Sequence, residues 1–174
     1  RDRRGDVPAG PAAGVSADAT RERALRVGLI SDTHDLLRPE ALAFLIGCDR
    51  IVHGGDVCSP GVLDTLAAIA PLTAVRGNND RGGWAARLRE SELVEVGGVW
   101  LYAIHDLAQI DIDPASAGVA IVVSGHSHRP VVERRDGVLF VNPGSAGPRR
   151  FKLPISVGEL TIVDGAVSAR TVTL

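Results

Sequence analysis

Methionine is absent from these 174 residues, lysine occurs only at Lys152, and aromatic residues make up 3%. With no initiator methionine, the sequence is expected to be a processed or incomplete form. Cysteine is scarce too: Cys48 and Cys58 are the only two, and they form no CxxC pair. That spacing gives neither a zinc knuckle nor a disulfide framework. Two reduced thiols in a cytoplasmic protein are the expectation. No stretch reaches the roughly 20 consecutive apolar residues a membrane-spanning helix needs. No apolar segment follows the N-terminal arginines, so a secretory signal is not expected either. Charge of one sign is also lacking: 19 basic and 21 acidic residues give a net charge of -2. This leaves no global bias toward nucleic acid or membrane, and specific binding of either is not expected. What is present is a chain of about one domain's length, 45% hydrophobic, able to bury a core unaided.

Residues 1–24 carry Pro, Gly, Ala and charge without apolar periodicity, and are expected to remain a disordered tail. Arg4-Gly5-Asp6 spells an adhesion tripeptide, read here as a chance match. The folded domain is expected over 25–174. LRVGLIS (25–31), RIVH (50–53) and LTAVRG (72–77) read as buried strands. Between them, PEALAFLIG and PGVLDTLAAIA read as helices opened by Pro39 and Pro60, the first closed by Gly47. This β-α-β-α-β rhythm predicts a parallel sheet with helices packed on it. Later, Gly97-Gly98, Asp136-Gly137 and Asp164-Gly165 each separate two apolar segments, which signals three hairpins. VAIVVSG (119–125) is a further buried strand. The simplest architecture is a sandwich of two sheets with helices outside.

Polar residues gather just past the predicted strands: Ser31-Asp32-Thr33-His34, Gly54-Gly55-Asp56, Gly77-Asn78-Asn79-Asp80, His105-Asp106 and Gly125-His126-Ser127-His128. Ligands bind at the carboxyl ends of strands in α/β sheets, so these groups are expected to converge. Imidazole and carboxylate together suit Mn, Fe, Co, Ni or Zn. Asp-x-His and His-x-His put two side chains on one side of an extended turn. The two oxygens of Asp56 could bridge two ions. Each piece alone is ordinary; the order, each directly after a strand, is not. A mononuclear structural site fits poorly, because such sites are closed and cysteine-rich.

Taken together, DTH, GGD, RGNND, the later His105, GHSH and NPGS resemble the calcineurin-like metallophosphoesterase superfamily, in particular its small prokaryotic phosphodiesterase branch. The resemblance runs from about Leu25 to the C-terminus. It implies a four-layer α/β/β/α sandwich of two mixed sheets flanked by helices. It implies a first ion on Asp32, His34 and His128, a second on Asn78, His105 and His126, and Asp56 bridging them. The ions would be two divalent metals, Mn2+ foremost, with Fe, Ni, Co, Zn or Mg as alternatives. A metal-bridging hydroxide would attack phosphorus in line, with ions about 3.5–4 Å apart. The implied activity is metal-dependent hydrolysis of a small phosphoester, a phosphodiester foremost, with a phosphomonoesterase or nucleotide phosphatase on the same site as the neighbouring alternative. A second alternative is a non-catalytic scaffold of the same fold, like the retromer subunit that resembles this branch. A homo-oligomer is compatible with the family.

His53 is expected to play a supporting or structural part, for instance fixing a ligand by hydrogen bond, rather than to bind metal. Asn142-Pro143-Gly144-Ser145 is expected to support the site as a turn. Two positions depart from the family. Asn79 stands where many members carry a histidine that assists the leaving group; an amide can bind phosphate but cannot serve as a general acid. Asn78 and Asn79 are therefore candidate substrate contacts, and Asn79 and Asp80 candidate catalytic groups beside Asp56. Asp106 stands where the family usually has glycine, and the segment from Asp106 to Gly118 is short, with Pro114 leaving little room for helix. His105 is accordingly the ligand expected to belong to the weaker metal site.

Overall fold

The computed structural model describes residues 23–174; the tail, with Arg4-Gly5-Asp6, lies outside the described residues except for its last two positions. In chain order the elements are β1 (Leu25–Ile30), α1 (Pro39–Leu45), β2 (Arg50–His53), α2 (Pro60–Ala67), β3 (Leu72–Ala74), β4 (Ser91–Val96), β5 (Val99–Ile104), β6 (Val119–Val123), β7 (Val131–Arg135), β8 (Val138–Asn142), β9 (Ser156–Val163) and β10 (Ala166–Thr173). They form two mixed five-stranded sheets, ordered β10-β9-β1-β2-β3 and β4-β5-β6-β8-β7. In the first sheet β1, β2 and β3 run parallel, as the β-α-β-α-β rhythm predicts. The C-terminal hairpin joins that sheet on the far side of β1, with β9 antiparallel to it. This long-range pairing has no local signature in the sequence.

The central strands are buried on both faces, which is why they read as unbroken apolar runs. Val27, Leu29 and Val52 of the first sheet meet Leu101, Ala103, Ile121, Val123 and Val141 of the second in one core. On the outer face of the first sheet, Ala41 and Leu45 of α1 and Val62 and Leu66 of α2 pack over Ile51 and Val157. Gly28 permits this approach: a Cβ there would sit 2.4 Å from Leu45 Cδ2 and 2.9 Å from Cys48 Sγ. Proline begins both helices, and Ser59 caps α2 by accepting from Gly61 N at 3.3 Å. At the other end of α1, Arg26 donates to Phe44 O at 2.7 Å and Ile46 O at 3.1 Å, taking up carbonyls that the helix leaves open. Glu159 bonds the same guanidinium and ties it to β9.

The outer face of the second sheet is covered differently. Tyr102, Ile104, Val122 and Val138 pack against Leu107, Ile110 and Ile112. These come from a 3-10 turn, Leu107–Gln109, and the loop after it. The four-layer order is present, with its last layer thinned to that segment. The three hairpin signals give three hairpins, each with positive φ at both central residues (58° and 78°, 49° and 83°, 50° and 76° in chain order). Those are the type I′ turns that match strand twist.

Candidate metal centre

Backbone conformation marks the site before any side chain is considered. Asp32, His34, Asp56, His126 and His128 all have φ between 45° and 64°. Non-glycine residues seldom adopt this left-handed region, although Asp, Asn and His do so more readily than others. Each lies in the loop directly after a buried strand, where the turn aims its side chain back across the strand ends. Strain of this kind persists only where the surroundings hold it. Here the backbone does: Asp32 N donates to Gly55 O and His34 N to Asp56 O, both at 3.0 Å.

The structure brings all seven expected ligands to one place. Asp32 Oδ1 lies 3.2 Å from His128 Nε2. His34 Nε2 lies 3.7 Å from Asp56 Oδ2, and His105 Nε2 lies 3.5 Å from Asp56 Oδ1. The two oxygens of Asp56 thus face different histidines. Asn78 Oδ1 lies 3.1 Å from both His105 Nε2 and His126 Nδ1. Donor atoms of Asp32, His34 and His128 fall within 4.8 Å of one another, as do those of Asp32, Asp56 and His105.

Three of these atoms, Asp32 Oδ1, His34 Nε2 and His128 Nδ1, are buried without a hydrogen-bond partner. An unpaired buried polar atom costs roughly 1–3 kcal/mol, and three at one spot call for a ligand. His105 makes the same point. Its Nδ1 donates to Gly54 O at 2.7 Å. In a neutral ring Nε2 then presents a lone pair to Asn78 Oδ1 and Asp56 Oδ1, which are acceptors themselves. Only a second proton or a cation reconciles these groups. Without a metal the proton takes that place: burial alone would lower the pKa of His105, but hydrogen bonds to Asp56 and Gly54 O raise it. The donor set therefore fits divalent metal.

Around the ligands lies a shell of fixing contacts. Burial opposes charge on Asp56, yet hydrogen bonds from His105 and Asn79 hold its carboxyl well below the usual range. Asn79 grips it twice, from N to Oδ1 at 2.8 Å and from Nδ2 to Oδ2 at 2.7 Å. The oxygens of Asp80 accept from Cys58 N and Gly77 N, both at 2.7 Å, so its carboxylate clamps two loops instead of facing the site as a catalytic group would. His53 is fully buried, and its ring bonds to neighbours of the ligands rather than to a ligand side chain. Its Nδ1 accepts from Gly55 N at 3.1 Å and its Nε2 meets Thr33 Oγ1 at 3.0 Å, which links the Asp32 loop to the Asp56 loop. Burial pushes its pKa down to about 4. Asp106 turns its carboxylate onto Ala108 N at 3.0 Å, capping the 3-10 turn, with Oδ2 4.0 Å from His126 Nε2. His105 is 4% exposed and firmly held, whereas the His126 side chain is 48% exposed.

Some contacts escape sequence reasoning. Ser31 Oγ donates to Asp32 Oδ2 at 2.7 Å. Cys58 Sγ sits 3.6 Å from His34 Nδ1, with burial pushing its thiol up to about 11. Only their closeness to Asp32 and Asp56 in the sequence hints at either. In the later loop, Asn142 Nδ2 donates to Gly125 O at 2.6 Å and Ser145 Oγ to Asp32 O at 3.0 Å, so it braces both ligand pairs.

Two packed mixed sheets, with imidazoles and carboxylates converging on their strand ends, define a metal-binding α/β sandwich. Residues 25–165 match the calcineurin-like phosphoesterase superfamily domain. The chain belongs to that family. It is 35% identical over 140 residues to a probable metallophosphoesterase of Methanothermobacter thermautotrophicus, covering 74% of this chain and 81% of that one. It is 30% identical over 138 residues to a phosphodiesterase of Methanocaldococcus jannaschii, covering 69% and 83%. Among solved structures, an archaeal phosphodiesterase superposes with a TM-score of 0.72 at 22% identity, covering 85% of this chain and all of that one (100%). Vacuolar protein sorting 29 from Cryptosporidium parvum superposes at 0.71 with 20% identity, covering 87% and 98%. At those identities the two structures speak for the fold.

Proposed function

We propose that this chain is a two-metal phosphodiesterase. The observation that carries the reading is the trio of buried, unpartnered atoms Asp32 Oδ1, His34 Nε2 and His128 Nδ1, with His34 Nε2 3.7 Å from Asp56, whose carboxyl is held in its charged form. Asp32, His34 and His128 would hold one ion, Asn78, His105 and His126 the other, and Asp56 would serve both. Divalent ions held there, Mn2+ foremost as the family resemblance implies, would supply charge opposite the phosphoryl oxygens and lower the pKa of water. In the reaction a water oxygen bonds to phosphorus as one ester P–O bond breaks, leaving a phosphomonoester and an alcohol.

The chain's own groups divide the remaining work. Asn79 fixes the rotamer of Asp56 through both carboxylate oxygens. Gly54 O fixes the His105 tautomer, leaving Nε2 directed at the site. Asn79 cannot protonate a leaving alkoxide, so activated aryl esters should react far faster than alkyl ones. Every ligand position holds a competent donor, which favours the enzyme over the scaffold alternative. Two free thiols suit a cytoplasmic setting.

The test is metal analysis of the purified chain together with hydrolysis of bis-p-nitrophenyl phosphate and p-nitrophenyl phosphate. Metal-dependent turnover of the diester, abolished in Asp56→Asn, is expected. Undiminished hydrolysis by metal-free protein would overturn the reading, and faster turnover of the monoester would reassign it to a phosphomonoesterase.

A further inference from the structure

The two flanks of the metal centre are chemically opposite. On the His105–His126 side a cavity of about 350 Å³ is lined by Glu90, Asp106 and Asp111, with Arg76 as the arginine among its walls. Its carboxylates outnumber its arginine, which disfavours a second phosphate there. The other flank is the loop 147–153. Its root is fixed on the ligand loop: a Cβ on Gly147 would lie 2.3 Å from Thr33 O and 2.5 Å from Asp32 O. Arg38 also donates to Gly147 O at 3.2 Å. Beyond that root, Arg149, Arg150, Phe151 and Lys152 are all exposed. None of the three cations pairs with a carboxylate among the described residues. The contact of Gly147 with the backbone of Asp32 and Thr33 places the loop beside the metal centre.

Phe151 is the unusual member. It is 92% exposed and has φ 52°, in a chain that contains only three phenylalanines. An aromatic ring held in solvent by a disfavoured backbone, among three free cations, points to a ligand with a flat face and negative charge. Single-stranded nucleic acid has both: bases stack on aromatic side chains while cations follow the backbone.

Resting on the phosphodiesterase reading, we propose that the substrate is a short single-stranded oligonucleotide. Its scissile phosphodiester lies at the metal centre, the adjoining phosphate on Arg149 and Arg150, and a base on Phe151. The acidic cavity takes the arm on the other side, which carries no further phosphate. Strand polarity is thereby fixed, and cleavage proceeds from an end. A net charge of -2 confines the attraction to this loop, so duplexes and long-range capture are not part of the binding. Stacking tolerates any base, so sequence preference is weak.

The test compares kcat/KM for a thymidine pentanucleotide with that for bis-p-nitrophenyl phosphate in the Mn2+-loaded chain. In parallel, fluorescence anisotropy follows a labelled phosphorothioate pentanucleotide at several salt concentrations. Phe151→Ala should lower the kcat/KM ratio about tenfold and Phe151→Trp should restore it, the range expected for loss of one stacked base. Arg149→Ala/Arg150→Ala should flatten the salt dependence of binding by about 0.7 in log–log slope for each phosphate no longer neutralised. Ratios and slopes unchanged by these variants would overturn the proposal. So would binding to phosphatidylglycerol vesicles that is lost in the same variants while oligonucleotide binding is not, since the loop would then be a membrane contact. If no phosphodiester is hydrolysed at all, the phosphodiesterase reading fails, and the anisotropy still decides whether the loop binds the strand.

Discussion

Asp32, His34, Asp56, His126 and His128 are chosen twice over, once for their donor atoms and once for their tolerance of left-handed backbone. A metal site could recruit glutamate or cysteine as readily by chemistry alone; these turns favour the short polar side chains found. His53 shows the same economy away from the ions. Unfolded, it binds a proton below its ordinary 6.5; folded, only below about 4. Between those values the folded chain carries fewer protons, so stability rises with pH across the window and is lost as pH falls through it. The full effect of such a shift is about 3 kcal/mol. His34, also lowered chiefly by burial, acts in the same sense. His105, whose pKa is raised, acts in the opposite one, and its contribution fades as pH rises through its folded value. Denaturant unfolding of metal-free protein from pH 4 to 7 should give a visibly shallower rise in His53→Gln than in the parent. Equal slopes would remove His53 from this role. The residues that converge on the site were legible in the sequence because each follows an apolar run and is chemically distinctive. Asp80 was not, since nothing in Asn-Asn-Asp indicates that the carboxylate turns back onto Gly77 N and Cys58 N.

Among the elements, the loop after β8 matters more than its lack of ligands suggests. Together with Asn142 at the end of β8, which reaches the backbone of Gly125 just before His-x-His, its Ser145 and Gly147 reach the backbone of Asp-x-His. Gly147→Ala would force a methyl group into Thr33 O and Asp32 O, backbone atoms that cannot rotate away. A loss of about 1–3 kcal/mol is expected, as for other overpacked sites. Mn2+ affinity measured by calorimetry should fall alongside it, because the atoms displaced carry Asp32 and His34. A variant with parental affinity would show that the ligand loop is positioned from elsewhere. At this scale the sequence was generous with local structure. Proline at helix starts and Asp-Gly or Gly-Gly between strands each encode their element within a few residues. It was silent on β9 pairing with β1, whose partners are brought together by burial rather than by any local preference. The thin cover over the second sheet was foreshadowed only by the short, proline-containing stretch after Asp106.

For the molecule as a whole, the converging acceptors and unpartnered buried atoms mean that the folded state without metal carries a cost the ions remove. Ions that bind only the folded chain stabilise it by about 2.7 kcal/mol at a hundredfold excess over Kd. Thermal unfolding should shift upward on adding Mn2+ and return on adding EDTA, with the shift largely absent in Asp56→Asn. A melting temperature indifferent to metal would mean that the site is satisfied some other way. The same architecture has a consequence for biosynthesis. Arg26 in β1 finds Glu159 in β9 across 133 residues of chain. At roughly 5–20 residues per second of translation, β1 waits on the order of ten seconds beside β2 with its other edge bare. During that interval Asp32 and His34 have emerged, but the loop that pins them has not been made. The nascent chain therefore passes through a stage with exposed strand edge and unclosed ligand loop, when chaperone protection would matter most and premature metal capture would be least selective.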